Sequence, residues 1–308
     1  RGTDYNKFCS YTTTTTCNTD SYCPACETCI QFRNRTVTIS GTPYVLKLGD
    51  IIDSTPRILS SVPPNSYYKT YKDTTYKEFV ERTDYKNRGM VFVGANDGML
   101  HAFRLGKLTL FEEKNKKAEI SGTDIGKEEW AFIPKNALPY LKYMADPNYC
   151  HLYYVDATPI IVDVNIDGGP DATKTADSWR TLLIGGMKLG GACRKTGDSC
   201  AECVKTPILD PSDSDKGLGY SSYFALDVTD PNNPQVLWEF SNEGLGFSTT
   251  GPAIVKISAQ TGGVPDRNKN GKWFVVFGSG PTGPVDPNTH QFKGYSRQEL
   301  KVFILDLA

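Results

Sequence analysis

The sequence predicts an all-β fold, a β-propeller present as a partial ring of about three blades with long loop insertions. Two observations carry that expectation. Short apolar runs are broken at close intervals by turn residues, among 28 glycines and 19 prolines, so long helices do not dominate. One arrangement of such runs also recurs: DSTPRIL from Asp53, DATPIIV from Asp156 and STTGPAIV from Ser248 each open a unit.

Residues 1–36 are rich in Thr and Cys and read as a disulfide-stapled N-terminal segment, and the propeller domain is expected over 37–308. Within that domain each opening run leads to an apolar strand ending in glycine: GMVFVGAND, WRTLLIGGM and KWFVVFGSG. A third strand follows in each unit, as MLHAFRL, YFALDVT and VFILDLA, and the first two units close on EEWAFIP and VLWEF. Proline at the opening suits a position whose N–H stays out of the ladder. The glycines are expected to supply positive φ for tight hairpins, GANDG after VFV being one such turn. Units recur about every 90–100 residues, whereas a minimal blade needs ~40–50, so insertions decorate each one. Segments 61–88 and 193–217 are the clearest. Five tyrosines in the first, at 67, 68, 71, 76 and 85, are read as packing across the blade, with a partner contact as the alternative.

Three blades do not close a ring, which takes at least about four. The third unit reaches Ala308 without a closing strand and the chain begins at Arg1, so a longer parent with further blades is expected.

A formal charge of −1 argues for neither a nucleic-acid surface nor a polybasic membrane patch. No apolar run approaches the ~18 residues of a membrane-spanning helix. Nine cysteines fall at Cys9, Cys17, Cys23, Cys26 and Cys29, at Cys150, and at Cys193, Cys200 and Cys203. Clusters in turn-rich polar segments point to disulfides in an oxidising compartment, with one thiol left over. Zinc in CPACETC and a redox role for CAEC are the alternatives.

Two loops carry oxygen ligands at alternate positions. In DVNIDGGPD, Asp163, Asn165, Asp167 and Asp171 stand at positions 1, 3, 5 and 9, with Gly168 at the sharp turn; this is a spacing calcium uses. The closing carboxylate is missing, since position 12 is Lys174. DRNKNGKW places Asp266, Asn268 and Asn270 similarly, with less charge. The plain alternative is that Asp, Asn and Gly favour turns. His101 is read as a packed or hydrogen-bonded ring, and GSGPTGP as the hairpin loop of the third unit, because it lacks the Lys-Ser/Thr ending of a phosphate loop.

Six motifs, KLGDIIDSTP, MVFVGANDGMLHAF, EEWAFIP, YYVDATP, YFALDVTDPNNPQVLWEF and GKWFVVFGSGPTGP, together resemble the C-terminal propeller domain of the type IV pilus-tip adhesin and biogenesis proteins. The resemblance implies an exported, non-enzymatic protein at the pilus tip or cell surface. It would sit with minor pilins, promote pilus extension and contact host or abiotic surfaces, often under calcium control. GANDGMLHAF is also similar to the repeat of quinoprotein dehydrogenases, which would imply an enzyme with a redox cofactor and calcium. Too few blades are present to enclose such a cofactor, and a shared repeat is analogy of fold alone.

Overall fold

A computed structural model describes residues 7–9, 29–31, 35–145, 151–190, 208–210, 213–218, 221–281 and 298–307. Blade 1 is an antiparallel meander of β1 (Arg57–Leu59), β2 (Met90–Gly94), β3 (Leu100–Arg104) and β4 (Glu128–Phe132). Blade 2 repeats it with β5 (Ile160–Asn165), β6 (Trp179–Gly186), β7 (Tyr223–Asp227) and β8 (Gln235–Phe240). Blade 3 has β9 (Ala253–Ile257), β10 (Lys272–Gly278) and β11 (Val302–Asp306) among the described residues. Each of these blade strands falls on its expected motif, and Pro56, Pro159 and Pro252 each stand one residue before the opening strand.

Successive side chains on a strand point to opposite faces, so blade 2 feeds two seams. Leu183, Phe224 and Leu226 pack with Leu59, Met90, Phe92 and Leu100 of blade 1. Val162, Leu182, Ile184 and Ala225 alternate with them and pack with Trp273, Val275 and Phe277 of blade 3. On the far face of blade 3, Val255, Ile257, Val302 and Ile304 are exposed.

Polar bonds fasten the opening segments of neighbouring blades. The Asp53 N–H donates to Asp156 Oδ1 at 3.1 Å, the Thr55 N–H to Thr158 Oγ1 at 3.0 Å and Ser54 Oγ to the Ala157 carbonyl at 3.2 Å. Between blades 2 and 3, the N–H groups of Met187 and Lys188 donate to Ser248 Oγ at 3.1 and 2.7 Å.

The glycines divide into two kinds, which corrects the single reason expected for them. Gly98, in the GANDG turn, does have a positive φ of 99°. Gly94 and Gly185 lie inside strands and are required by close approach. A Cβ on Gly94 would stand 2.2 Å from the Val155 carbonyl oxygen, and one on Gly185 would stand 2.3 Å from the Phe224 ring.

The insertion within blade 1 folds as three short helices, α1 (Tyr67–Tyr71), α2 (Thr74–Glu81) and α3 (Thr83–Asn87). Asp73 caps α2, accepting from the Tyr76 N–H at 3.2 Å, and Tyr76 and Phe79 one turn apart form the buried face.

Gly94→Ala is expected to destabilise the chain by about 1–3 kcal/mol, because the methyl group must push blade 2 away. Gly251→Ala serves as control, since nothing lies within 4 Å of its would-be Cβ. Urea denaturation of both should show a loss for the first alone; equal stability would mean that the blades do not approach this closely.

Candidate functional site

The insertion and the first candidate loop meet at Asp163, which is fully buried near the end of β5. Its Oδ2 accepts from Tyr76 Oη at 2.7 Å and Tyr85 Oη at 2.8 Å, and its Oδ1 accepts from Thr181 Oγ1 at 2.6 Å. Thr181 Oγ1 in turn accepts from Arg88 Nη1 at 2.7 Å, and the guanidinium lies 3.3 Å from the Tyr85 ring centroid. A buried negative charge is thus met by three hydroxyl donors, with a cation one step behind. Burial first, then the Asp163 charge, pushes the Tyr76 and Tyr85 hydroxyls far above their ordinary range, so both remain donors. The tyrosines divide accordingly: Tyr76 and Tyr85 are buried, Tyr67 stacks on Trp179 with centroids 5.5 Å apart, and Tyr68 and Tyr71 are exposed.

The two candidate loops, read separately in the sequence, pack against each other. Asn270, fully buried, donates through Nδ2 to the Asp167 and Gly169 carbonyls at 2.7 and 2.9 Å. The Lys174 N–H reaches the Asn268 carbonyl at 2.7 Å, and the Gly271 N–H reaches the Pro170 carbonyl at 2.7 Å. Asn165 Nδ2 donates to the Asn270 carbonyl at 2.8 Å, while its Oδ1 accepts from Trp273 Nε1 and Lys256 Nζ, both at 3.0 Å. Burial, with Lys174 nearby, lowers the Lys256 ammonium to about 8.

Little donor capacity remains for a cation. Asp163 and Asn165 have the partners just described, and Asp167 pairs with Arg180. Asp266 accepts within its own turn from the Asn268 N–H at 2.9 Å and Thr261 Oγ1 at 2.8 Å. Asp171 is exposed, and Asp177, the other carboxylate near the loop, pairs with Arg82. These residues do not fit calcium in this arrangement, and among the described residues no three His, Cys, Asp or Glu side chains gather to hold a metal. Cys29 is disulfide-bonded and stands opposite Cys9 in the pairing of Lys7–Cys9 with Cys29–Gln31. Cys17, Cys23, Cys26, Cys150, Cys193, Cys200 and Cys203 lie outside the described residues.

Sequence reading passed over the contacts of Asp97, which follow from the turn. Its carboxylate accepts from the Gly49 N–H at 2.7 Å and lies 3.0 Å from His101 Nε2, while His101 Nδ1 lies 2.6 Å from Glu128 Oε1. Burial works against a charged His101, but bonds to Asp97 and Glu128 outweigh it and raise its pKa. Burial likewise opposes the Asp97 charge, yet His101 and the Gly49 N–H hold its carboxyl below the usual range.

A profile of the PilY1 beta-propeller domain matches residues 48–200. A type IV pilus biogenesis factor PilY1 homolog of Xylella fastidiosa is 31% identical over 246 residues, covering 78% of this chain and 14% of that protein. Pseudomonas aeruginosa type IV pilus biogenesis factor PilY1 is 31% identical over 246 residues, covering 76% of this chain and 15% of that protein. The chain therefore spans a small part of the length of these relatives. The crystal structure of the P. aeruginosa PilY1 C-terminal domain aligns with a TM-score of 0.44 at 24% identity, over 81% of this chain and 35% of that one.

Tyr76→Phe and Tyr85→Phe should each lower the unfolding free energy by about 1.5–3 kcal/mol, as hydrogen bonds to a charge do. Asp163→Ala should lower it by about 3–5 kcal/mol, since Arg88 then loses its counter-charge. Denaturant titration reads both, and near-zero losses would remove the clamp. For His101 the folded pKa lies above the unfolded one, so its contribution is full below pH ~6.5 and fades as pH rises through the raised value. The stability gap between wild type and His101→Gln should accordingly shrink on going from neutral to alkaline pH, and a constant gap would place the charge elsewhere.

Proposed function

Given that the chain belongs to the PilY family of type IV pilus biogenesis factors and carries its β-propeller domain, we propose that it is an exported, non-enzymatic assembly and binding protein of the type IV pilus. It would act at the pilus tip beside the minor pilins, favouring extension, with adhesion to host or abiotic surfaces as its outward role. The observation that carries this reading is the ordered blade pattern shared with proteins named as pilus biogenesis factors. Two features support a binding scaffold. The opening segments of neighbouring blades are joined by hydrogen bonds, and the buried Asp163, Asp97 and His101 have side-chain partners. No helix among the described residues is long and apolar enough to cross a membrane.

Calcium control in the parent protein is not assigned to the 163–171 and 266–270 loops, where Asp163, Asn165, Asp167, Asp266 and Asn270 have protein partners. Adding calcium or a chelator should leave the melting transition of this chain in place. A rise with calcium that Asp167→Ala abolishes would reinstate the loop as a cation site.

Function is tested in cells that make the full-length protein. Asp163→Ala in the propeller should reduce surface pili and surface attachment while the exported protein is still detected outside the cell. Normal piliation after removal of the whole propeller would overturn the proposal, and so would turnover of an alcohol by the purified protein supplied with quinone.

A further inference from the structure

Where the three blades meet at their opening segments, a buried carboxyl group stands that none of the preceding sites uses. Asp156 is 1% exposed, just ahead of β5. Its Oδ1 accepts the Asp53 N–H at 3.1 Å, and its Oδ2 is buried with no hydrogen-bond partner. Asp53, at the matching position of blade 1, pairs with Lys188 Nζ at 2.5 Å. Lys188 follows β6 and also binds blade 3, through its N–H to Ser248 Oγ at 2.7 Å and its carbonyl to the Ser248 N–H at 3.0 Å. A single lysine thus ties all three blades together, with one ammonium facing two aspartates.

The matching unit of blade 3 begins with a serine, whose hydroxyl accepts seam bonds without titrating. Blade 2 puts an acid there, so the charge carried by its seam with blade 1 depends on protonation. Burial raises the Asp156 carboxyl to about 6; the Asp53 amide bond and Lys188 favour its ionised form, but burial and the neighbouring Asp53 charge outweigh them, whereas Lys188 holds Asp53 below its usual range. Among the described residues the other titratable groups near this junction are Asp50, from the segment before β1, and His151, which lies 2.8 Å from Asp50 Oδ2. Tyr153, on Asp156's own segment, is raised by burial and then by Asp156.

We propose that Asp156 is a proton-operated latch on the seam between blades 1 and 2. Neutral, it accepts the Asp53 amide without placing charge in the seam. Ionised, it puts a second negative charge beside Asp53 in a buried setting where Lys188 already has a partner, and the opening segments of the blades loosen. The only chemical step is loss of one proton to solvent.

The folded value lies above the ordinary aspartate value of ~3.9, so the folded state holds the proton longer than the unfolded one. The contribution of Asp156 to stability is therefore full below pH ~4, is lost as pH rises towards about 6, and is flat above that. The test is thermal unfolding of this chain from pH 4 to 8 beside Asp156→Asn, which mimics the neutral acid, and Asp156→Ser, which copies blade 3. Both variants should lack the wild-type fall between pH 4 and 6. Asp156→Asn should match wild type near pH 4 and melt several degrees higher at pH 7.5. Amide exchange at residues 53–57, corrected for its intrinsic pH dependence, should quicken above pH 6 in wild type alone. Parallel melting profiles for all three proteins would overturn the latch, as would exchange in wild type that stays level across pH 6. The outcome is separable from the pilus reading, because it uses no pilus component.

Discussion

A carboxylate with no access to water has to be matched in place, and Asp163 sets that requirement for the whole arrangement. Its donors come from different parts of the chain: Thr181 from the adjoining strand of blade 2, and Tyr76 and Tyr85 from the helical insertion of blade 1. The charge can be buried only when the insertion lies across blade 2. The same clamp extends to blade 3, since Tyr67 also faces Trp273, at 6.0 Å between centroids. Lys174 reinforces it from the loop after β5, pairing at 2.5 Å with the Asp73 that caps α2.

The bonds between blades follow the period of the sequence. Asp53 meets Asp156 and Thr55 meets Thr158, each 103 residues on, while Trp130 meets Pro231 at 101 and Asn165 meets Asn270 at 105. At the opening segments the repeat in the chain has become a repeat in space, with Asp53 and Thr55 touching their blade 2 counterparts Asp156 and Thr158. Equivalent places can then exchange chemistry, carboxyl for hydroxyl, while the backbone geometry of the seam is kept. Apolar packing supplies most of the cohesion between blades, and these polar contacts choose the register in which the sheets meet.

The strands were legible because alternation, a proline at entry and a glycine near exit are local signals. β10 shows it plainly: in KWFVVFG, Trp273, Val275 and Phe277 are buried, and the residues between them are more open. The helices were also latent in the text. Asp73 precedes TTYKEFVE, and Tyr76, Phe79 and Val80 fall at helical spacing, but a reading tuned to strands passed over them. The candidate cation loops were ambiguous for another reason. Asp, Asn and Gly at alternate positions describe a turn equally well, and whether their oxygens stay free depends on what docks against them. Here one loop docked on the other.

From its sequence alone the chain determined a repeating β architecture, the order of its strands and its kinship with pilus biogenesis factors. All of these rest on short-range pattern, which survives without knowledge of neighbours in space. Only the tertiary structure decided that Asp163 gathers Tyr76, Tyr85 and Thr181, that Gly94 answers to close approach, and that Asp156 shares one lysine with Asp53. Burial and partnership are properties of residues about a hundred positions apart, and no local window of sequence contains them.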